Sequence, residues 1–243
     1  MKKIALMLAL ASVWGTVTAY ADSDLFSSIQ YWVGTGQNEA AFEIDWNNGS
    51  ANSAMVWGYR WDGTATGEQM LDAIVAADPS LYAEVSTPGE FGSGLGTALY
   101  GLGYHASGDQ NFQLSPSLSF SSDHLAYTDA GGVNSARTPV AAGDLWEEGW
   151  FSLGYWSYWA STDNQLSPSD PTDWANGWQY SPVGMSSRDL ENGDVDGWDF
   201  SFFNGSGDSN PAIPVAAQPV PEPGIWAMLS LGSLGMIYFR RKS

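Results

Sequence analysis

Three short runs hold the residues best suited to chemistry, and each has a functional and a packing reading. Asn192-Gly193-Asp194-Val195-Asp196-Gly197 alternates oxygen-bearing side chains with small residues, as in the first half of a calcium loop. An EF-hand needs a bidentate Glu at the twelfth position, and that position is Phe203, so an EF-hand is excluded. A different calcium loop built from Asp189, Glu191, Asp194 and Asp196 stays open, beside the plainer reading of an Asp/Gly turn between strands. Arg60 sits in the run Trp57-Gly58-Tyr59-Arg60-Trp61-Asp62-Gly63. A guanidinium among aromatics can stack on them and grip a ligand carboxylate bidentately, or it can form an internal ion pair, here with Asp62 or Glu43. Trp174, Trp178 and Tyr180, with Asn176 and Gln179 among them, have the composition of a sugar platform. Indoles stack on the C–H faces of sugar rings while amides bond the hydroxyls; the competing role is core packing.

Catalytic residues are scarce. The chain has no cysteine and only two histidines, His105 and His124, which rules out thiol chemistry and a His-rich zinc site. Gly92-Ser93-Gly94 is a glycine-rich loop and not a nucleophile elbow, and each histidine reads as a surface or satisfied residue. Glu147 and Glu148 resemble a glycosidase pair in type, but neighbours on a strand point to opposite faces and cannot flank one bond. No phosphate loop or dinucleotide fingerprint is present.

The elements that must position these residues read mostly as strands. Ala40, Phe42, Ile44 and Trp46 alternate with Glu39, Glu43 and Asp45, then Asn47 to Ser50 make a turn. Met55, Trp57, Tyr59 and Trp61 line one side of a second strand, antiparallel to the first. Thr66 and Gln69 have capping-box spacing ahead of the stripe Met70, Leu71, Ile74, Val75, which predicts one helix stopping near Asp78-Pro79. Strands are expected inside 91–103, at 112–114 and 118–120, and over 198–203. Over 150–160, Trp150, Trp156 and Tyr158 share one face, with Phe151, Leu153, Tyr155 and Trp159 on the other. That pattern implies a central strand or a functional aromatic face. The expected fold is mainly β, an antiparallel β-sandwich or jelly-roll-like domain with one short α-helix over 22–203, and a Pro/Gly/Ser linker over 204–219.

Charge narrows the partners. The net charge is −19, and five of the eight basic residues lie at the two ends. Between them stand only Arg60, Arg137 and Arg188, with no lysine. A chain so short of cations is no binder of nucleic acid or anionic lipid. With no disulfide, stability must come from the core or from bound ions such as Ca2+, and the 13 tryptophans supply apolar area for a core.

Both ends read as addresses. Met1-Lys2-Lys3, an apolar stretch and Ala19-Tyr20-Ala21 form a signal peptide over 1–21, cut by signal peptidase after Ala21. At the other end, Val220-Pro221-Glu222-Pro223 precedes an apolar segment and Arg240-Arg241-Lys242. The prolines break any incoming helix, and the apolar run is short for a permanent span. The order of motif, apolar helix and basic end over 220–243 resembles the PEP-CTERM sorting signal of exported bacterial surface proteins. That resemblance implies an exosortase partner and transient anchoring in the inner membrane through the C-terminal helix. It further implies release to the cell surface or to an exopolysaccharide matrix. The function expected is a non-enzymatic matrix protein that binds polysaccharide. A secreted glycosidase or lyase, and a calcium- or small-ligand-binding adhesion module, are the alternatives.

Overall fold

A computed structural model describes residues 25–49, 53–92, 96–107, 111–203 and 209–219. The signal-cleavage residues Ala19 and Ala21 lie outside this set. So do Val220, Pro221, Glu222, Pro223, Arg240, Arg241 and the expected C-terminal helix. Among the described residues no helix is long and apolar enough to cross a membrane.

A one-turn helix α1 (Leu25–Ser28) leads into β1 (Trp32–Gly34), β2 (Asn38–Asp45) and β3 (Ala54–Trp61). Helix α2 (Gly67–Ala77) and strands β4 (Leu81–Ser86), β5 (Leu99–Tyr104), β6 (Leu114–Ser115), β7 (Leu125–Thr128), β8 (Thr138–Pro139) and β9 (Leu145–Glu148) follow. The chain closes with β10 (Gly154–Thr162), α3 (Pro171–Gly177), β11 (Gln179–Tyr180), β12 (Asp194–Phe202) and β13 (Val215–Ala216).

The large sheet runs β1-β3-β2-β12-β10-β11, with β13 on the β1 side of β3; the small sheet runs β7-β4-β5-β9; β6 and β8 pair alone. The adjacent antiparallel strands expected from the alternation at 39–46 and 55–61 are β2 and β3, with Phe42 opposite Trp57. The sheets are mixed, however, and not purely antiparallel. β1 and β13 each run parallel to β3, β2 parallel to β12, and β4 parallel to β7. These parallel neighbours are far apart in sequence, so no hairpin turn announces them, and the arrangement departs from a jelly roll.

The two sheets face each other across one core. Ala40, Phe42, Ile44, Trp57, Trp198 and Phe200 of the large sheet meet Leu81, Ala83, Val85 and Leu102 of the small one, with α2 wedged alongside. α2 is held at both ends. Thr66 Oγ1 accepts from the Gln69 amide and Gln69 Oε1 accepts from the Thr66 amide, the capping box predicted from the spacing. At its other end buried Asp78 accepts from the Ser80 amide at 2.9 Å and from Trp57 Nε1 at 2.8 Å. The helix stop is thereby tied to the large sheet.

Each sheet also has a second, outer layer. Leu25 and Ile29 with Trp174 and Trp178 cover Ala41, Val56 and Val195 on the back of the large sheet. Phe112, Leu114 and Trp146 cover Tyr82 on the back of the small sheet. Two features depart from the sequence reading. Helices α1 and α3 join the one that was expected. The segment read as a linker also contributes β13, and Ala217 beside it is fully buried.

Candidate functional site

At one end of the shared core the sheets part around a cavity of about 390 Å3. Its aromatic walls are Phe91, Trp150, Trp156, Tyr158 and Trp198, with Leu99, Tyr180 and Met185 among the other lining residues. Strand geometry makes this wall. Trp156 and Tyr158 are two apart on β10 and share a face. Tyr158 lies directly opposite Trp198 on β12, their rings stacked at 4.3 Å. Trp150 approaches from the segment before β10, edge-on to Tyr100 at 5.1 Å and tilted against Phe91 at 5.6 Å. The shared face of Trp150, Trp156 and Tyr158, legible as alternation, is thus one side of the cleft. Phe91 and Trp198 come from distant segments and gave no local sign of joining it.

Behind the aromatics lies a charged anchor. The Tyr158 hydroxyl donates to Asp196 Oδ2, and Arg188 Nε donates to Asp196 Oδ1 at 2.6 Å. Arg188 Nη2 also pairs with Asp194 Oδ2 at 3.1 Å, which accepts the Glu191 amide as well. Burial pushes the Asp196 carboxyl up to about 6, against the pull of Arg188 and the Tyr158 hydrogen bond. Burial, then the neighbouring Asp196, drives the Tyr158 phenol well above its usual range. Gly67 opens α2 here because any side chain would collide with the Tyr158 hydroxyl and Asp196. The positive end of the helix therefore comes close to Asp196. Tyr158 is locked as a rigid wall and holds its proton.

The four residues read as a calcium loop are divided between a strand and an exposed segment. Parallel pairing with β2 draws Asp194 to Gly197 into β12, where alternation turns Asp194 and Asp196 toward the core. Their counter-charge is Arg188. Asp189 and Glu191 are exposed, and Asp189 forms a strand bridge with Thr66. Among the described residues no group of three or more His, Asp or Glu is arranged to hold a metal.

Of the sugar-platform residues, Trp174 and Trp178 pack edge to face at 5.7 Å, while Tyr180 packs on Trp159. Asp170 caps α3 by accepting from the Thr172 and Asp173 amides, with Pro171 at the first helical position. The helix then buries Trp174, 3% exposed, whose Nε1 donates to the Pro211 carbonyl at 2.8 Å. Trp178, 7% exposed, lies over Gly197. Neither indole offers a free face, because both are needed to cover Val195 and its neighbours. Asn176 and Gln179 line a separate, shallower polar hollow with Asp173 and Gln165. Tyr180, 50% exposed, borders the cleft, but its ring packs edge-on to Trp159, its cross-strand neighbour on the other face of β10.

Arg60 is an internal pair, with a partner other than those expected. Its Nε donates to Glu39 Oε1 at 2.9 Å, and its guanidinium lies 4.3 Å over the Trp32 ring. Glu39 is its cross-strand partner on β2, whereas Asp62 accepts from the Gln37 amide. Glu148, which cannot work with Glu147, instead meets Glu84 across β5. Arg137 bonds both, and burial followed by Glu84 raises the Glu148 carboxyl to about 8.

The comparisons with known proteins reach the tail. Neither a curated protein nor a solved structure matches the chain. Residues 219–242 match the PEP-CTERM protein-sorting motif, and by that motif this is an exported surface protein.

Proposed function

We propose that this protein is a component of the extracellular matrix that binds polysaccharide in its aromatic cleft, after an exosortase has processed a tail that holds it transiently at the inner membrane. One observation carries the binding reading: the side chains of Phe91, Trp150, Trp156, Tyr158 and Trp198 line a single cavity between the sheets. Flat rings with apolar faces suit the C–H faces of sugars. Among the described residues no cation lines the cleft, and Arg188, behind it, is committed to Asp194 and Asp196. A uronate or sulfated chain would meet a strongly acidic protein with nothing to neutralise it. The ligand class is therefore a neutral glycan.

The glycosidase alternative loses its best pair. Glu84 and Glu148 are buried behind Arg137, away from the cleft, and no two carboxylates face each other across it. The test is retention of the protein on neutral and on uronate polysaccharides from the producing cell. Trp150→Ala and Phe91→Ala should each weaken binding to the neutral polymer about tenfold, a loss of roughly 1.4 kcal/mol. Equal retention of both variants and the parent, or preference for the uronate polymer, overturns the reading.

A further inference from the structure

The segment that leads into the sorting motif is fastened to the large sheet along its length. The Ser209 hydroxyl donates to Asp199 Oδ2 at 3.1 Å. The Pro211 carbonyl accepts from Trp174 Nε1 at 2.8 Å, and the Ala212 amide donates to Asp45 Oδ2 at 3.0 Å. Val215 and Ala216 then pair in parallel with Met55 and Val56 as β13. The Ala217 amide donates to the Val56 carbonyl at 3.0 Å, and Ala217 is fully buried in the core shared by the two sheets. β1 takes β3 from Gly58 onward, where the Gly58 amide donates to the Tyr31 carbonyl. β13 therefore completes an edge of β3 whose backbone groups need partners.

The match to the sorting motif begins at Pro219, two residues after Ala217, and Pro221 follows two residues later. Four residues of fully extended chain span at most about 14 Å. An enzyme that takes its substrate as an extended strand uses the backbone N–H and C=O groups beside the residues it reads. Upstream of Pro221 such groups belong to β13 and Ala217, and β3 already holds them. The folded domain and the enzyme compete for one stretch of chain.

We propose that β13 is a gate on tail processing, and that an exosortase engages the motif only when residues 215–217 peel from β3. The gate presupposes the reading of the tail as an exosortase substrate. Its latch is small. Two register pairs, the Ala217 hydrogen bond and one buried methyl group hold it, and Val215 is 41% exposed, so β13 opens without unfolding the sheets. The bonds at Ser209, Pro211 and Ala212 keep the preceding chain in place while it does so. Processing then draws on the fraction of molecules in which β13 is undocked, and its rate follows that fraction. Release of the protein is paced by the fold of its own exported domain.

The experiment follows loss of the tail from the full-length chain in the producing cell by pulse–chase and mass spectrometry. A Gly-Ser-Gly-Ser-Gly-Ser insertion between Gln218 and Pro219 moves the motif away from the sheet edge and leaves β13 docked. Ala217→Asp puts a charge into the core and expels the strand. Each should be processed about tenfold faster than the parent, with Ala217→Ser, the milder change, in between. Hydrogen exchange at 215–217 should stay slow in the insertion variant and become fast in Ala217→Asp, with unchanged circular dichroism spectra. Tail loss at one rate in every chain overturns the gate alone. Faster loss in the insertion variant, with neither Ala217 variant accelerated, makes reach and not docking the obstacle and overturns it too. No tail loss from any chain removes the exosortase reading, and the gate with it.

Discussion

Each sheet carries an outer layer that buries carboxylates, and the two layers do it by different means. Behind the small sheet, Glu84 and Glu148 share one arginine. Arg137 Nη1 reaches both Glu84 oxygens at 3.2 and 3.3 Å and also bonds Glu148, whose other oxygen accepts from Trp146 Nε1 at 3.1 Å. Behind the large sheet, no arginine among the described residues pairs with Glu43 or Asp45, and Asp199 is held by hydroxyls. Asp45 accepts the Asn47 and Ala212 amides, and Asp199 Oδ2 accepts from the Ser201 and Ser209 hydroxyls. Glu43 is fully buried and neither of its oxygens has a hydrogen-bond partner. Burial first, then Asp45 and Asp199, lifts its carboxyl well above the ordinary range. Behind the small sheet a cation offsets part of the charge and Glu148 holds a proton as well; behind the large sheet Glu43 holds a proton without such a cation among the described residues. In a region with three arginines and no lysine, each already paired, the second solution is the one left.

The comparison breaks most visibly at Arg137. Arg137→Met strands two buried carboxylates and should cost about 3–5 kcal/mol at pH 7. That corresponds to a fall in Tm of roughly 10 °C for a domain of this size. The loss should shrink at pH 5, where the acids can protonate. A change under about 1 kcal/mol at pH 7 would mean that the carboxyls share a proton and the arginine is a bystander. The corresponding break in the other layer is Trp174→Ala. Its indole covers Val195 and bonds Pro211, so removing it should cost about 3–5 kcal/mol. Glycan retention per folded molecule should not change, since Trp174 lies outside the cleft.

How far the two layers could be read from the chain differs for a physical reason. β2, β3 and α2 are local patterns, so alternation and the Thr66–Gln69 cap were enough. β4 was missed although Leu81, Ala83 and Val85 alternate with Tyr82, Glu84 and Ser86: the run is short and follows at once on the helix stop, and all six residues are buried. α3 carried a usable sign in Asp170-Pro171, a capping residue before a first-turn proline, but its tryptophans pointed toward a platform instead. Only the pairing of β2 with β12 decides that Asp196 meets Arg188 and that Trp178 crosses Gly197. Non-local register of this kind leaves no mark on a single strand.

A further effect is a reversed pH dependence. Glu148 near 8, Glu147 near 7, Asp196 near 6 and the raised Glu43 all hold protons more tightly when folded than at their ordinary 4.5 or 3.8. The folded chain thus binds more protons than the unfolded chain between about pH 4.5 and 8, and stability must fall as pH rises through that window. Melting temperature should be higher at pH 5 than at pH 8. A flat or rising profile would mean that these carboxyls are ionised and compensated in the folded protein.

The smallest expected effect separates the two layers by degree. Glu43→Gln copies the shape of a protonated carboxyl without its titration. At pH 5, where Glu43 already carries its proton, the variant should match the parent within about 0.5 kcal/mol. As pH rises, the parent alone pays for ionising a wholly buried group, so the variant should become equal or more stable by pH 8. Glu148→Gln should move in the same direction but less far, because Arg137 offsets part of the cost of ionising Glu148. A Glu43→Gln variant that is already less stable at pH 5, and falls further behind as pH rises, would show that this carboxyl works as an anion. The layer behind the large sheet would then hold a positive partner of its own, and the contrast with Arg137 would close.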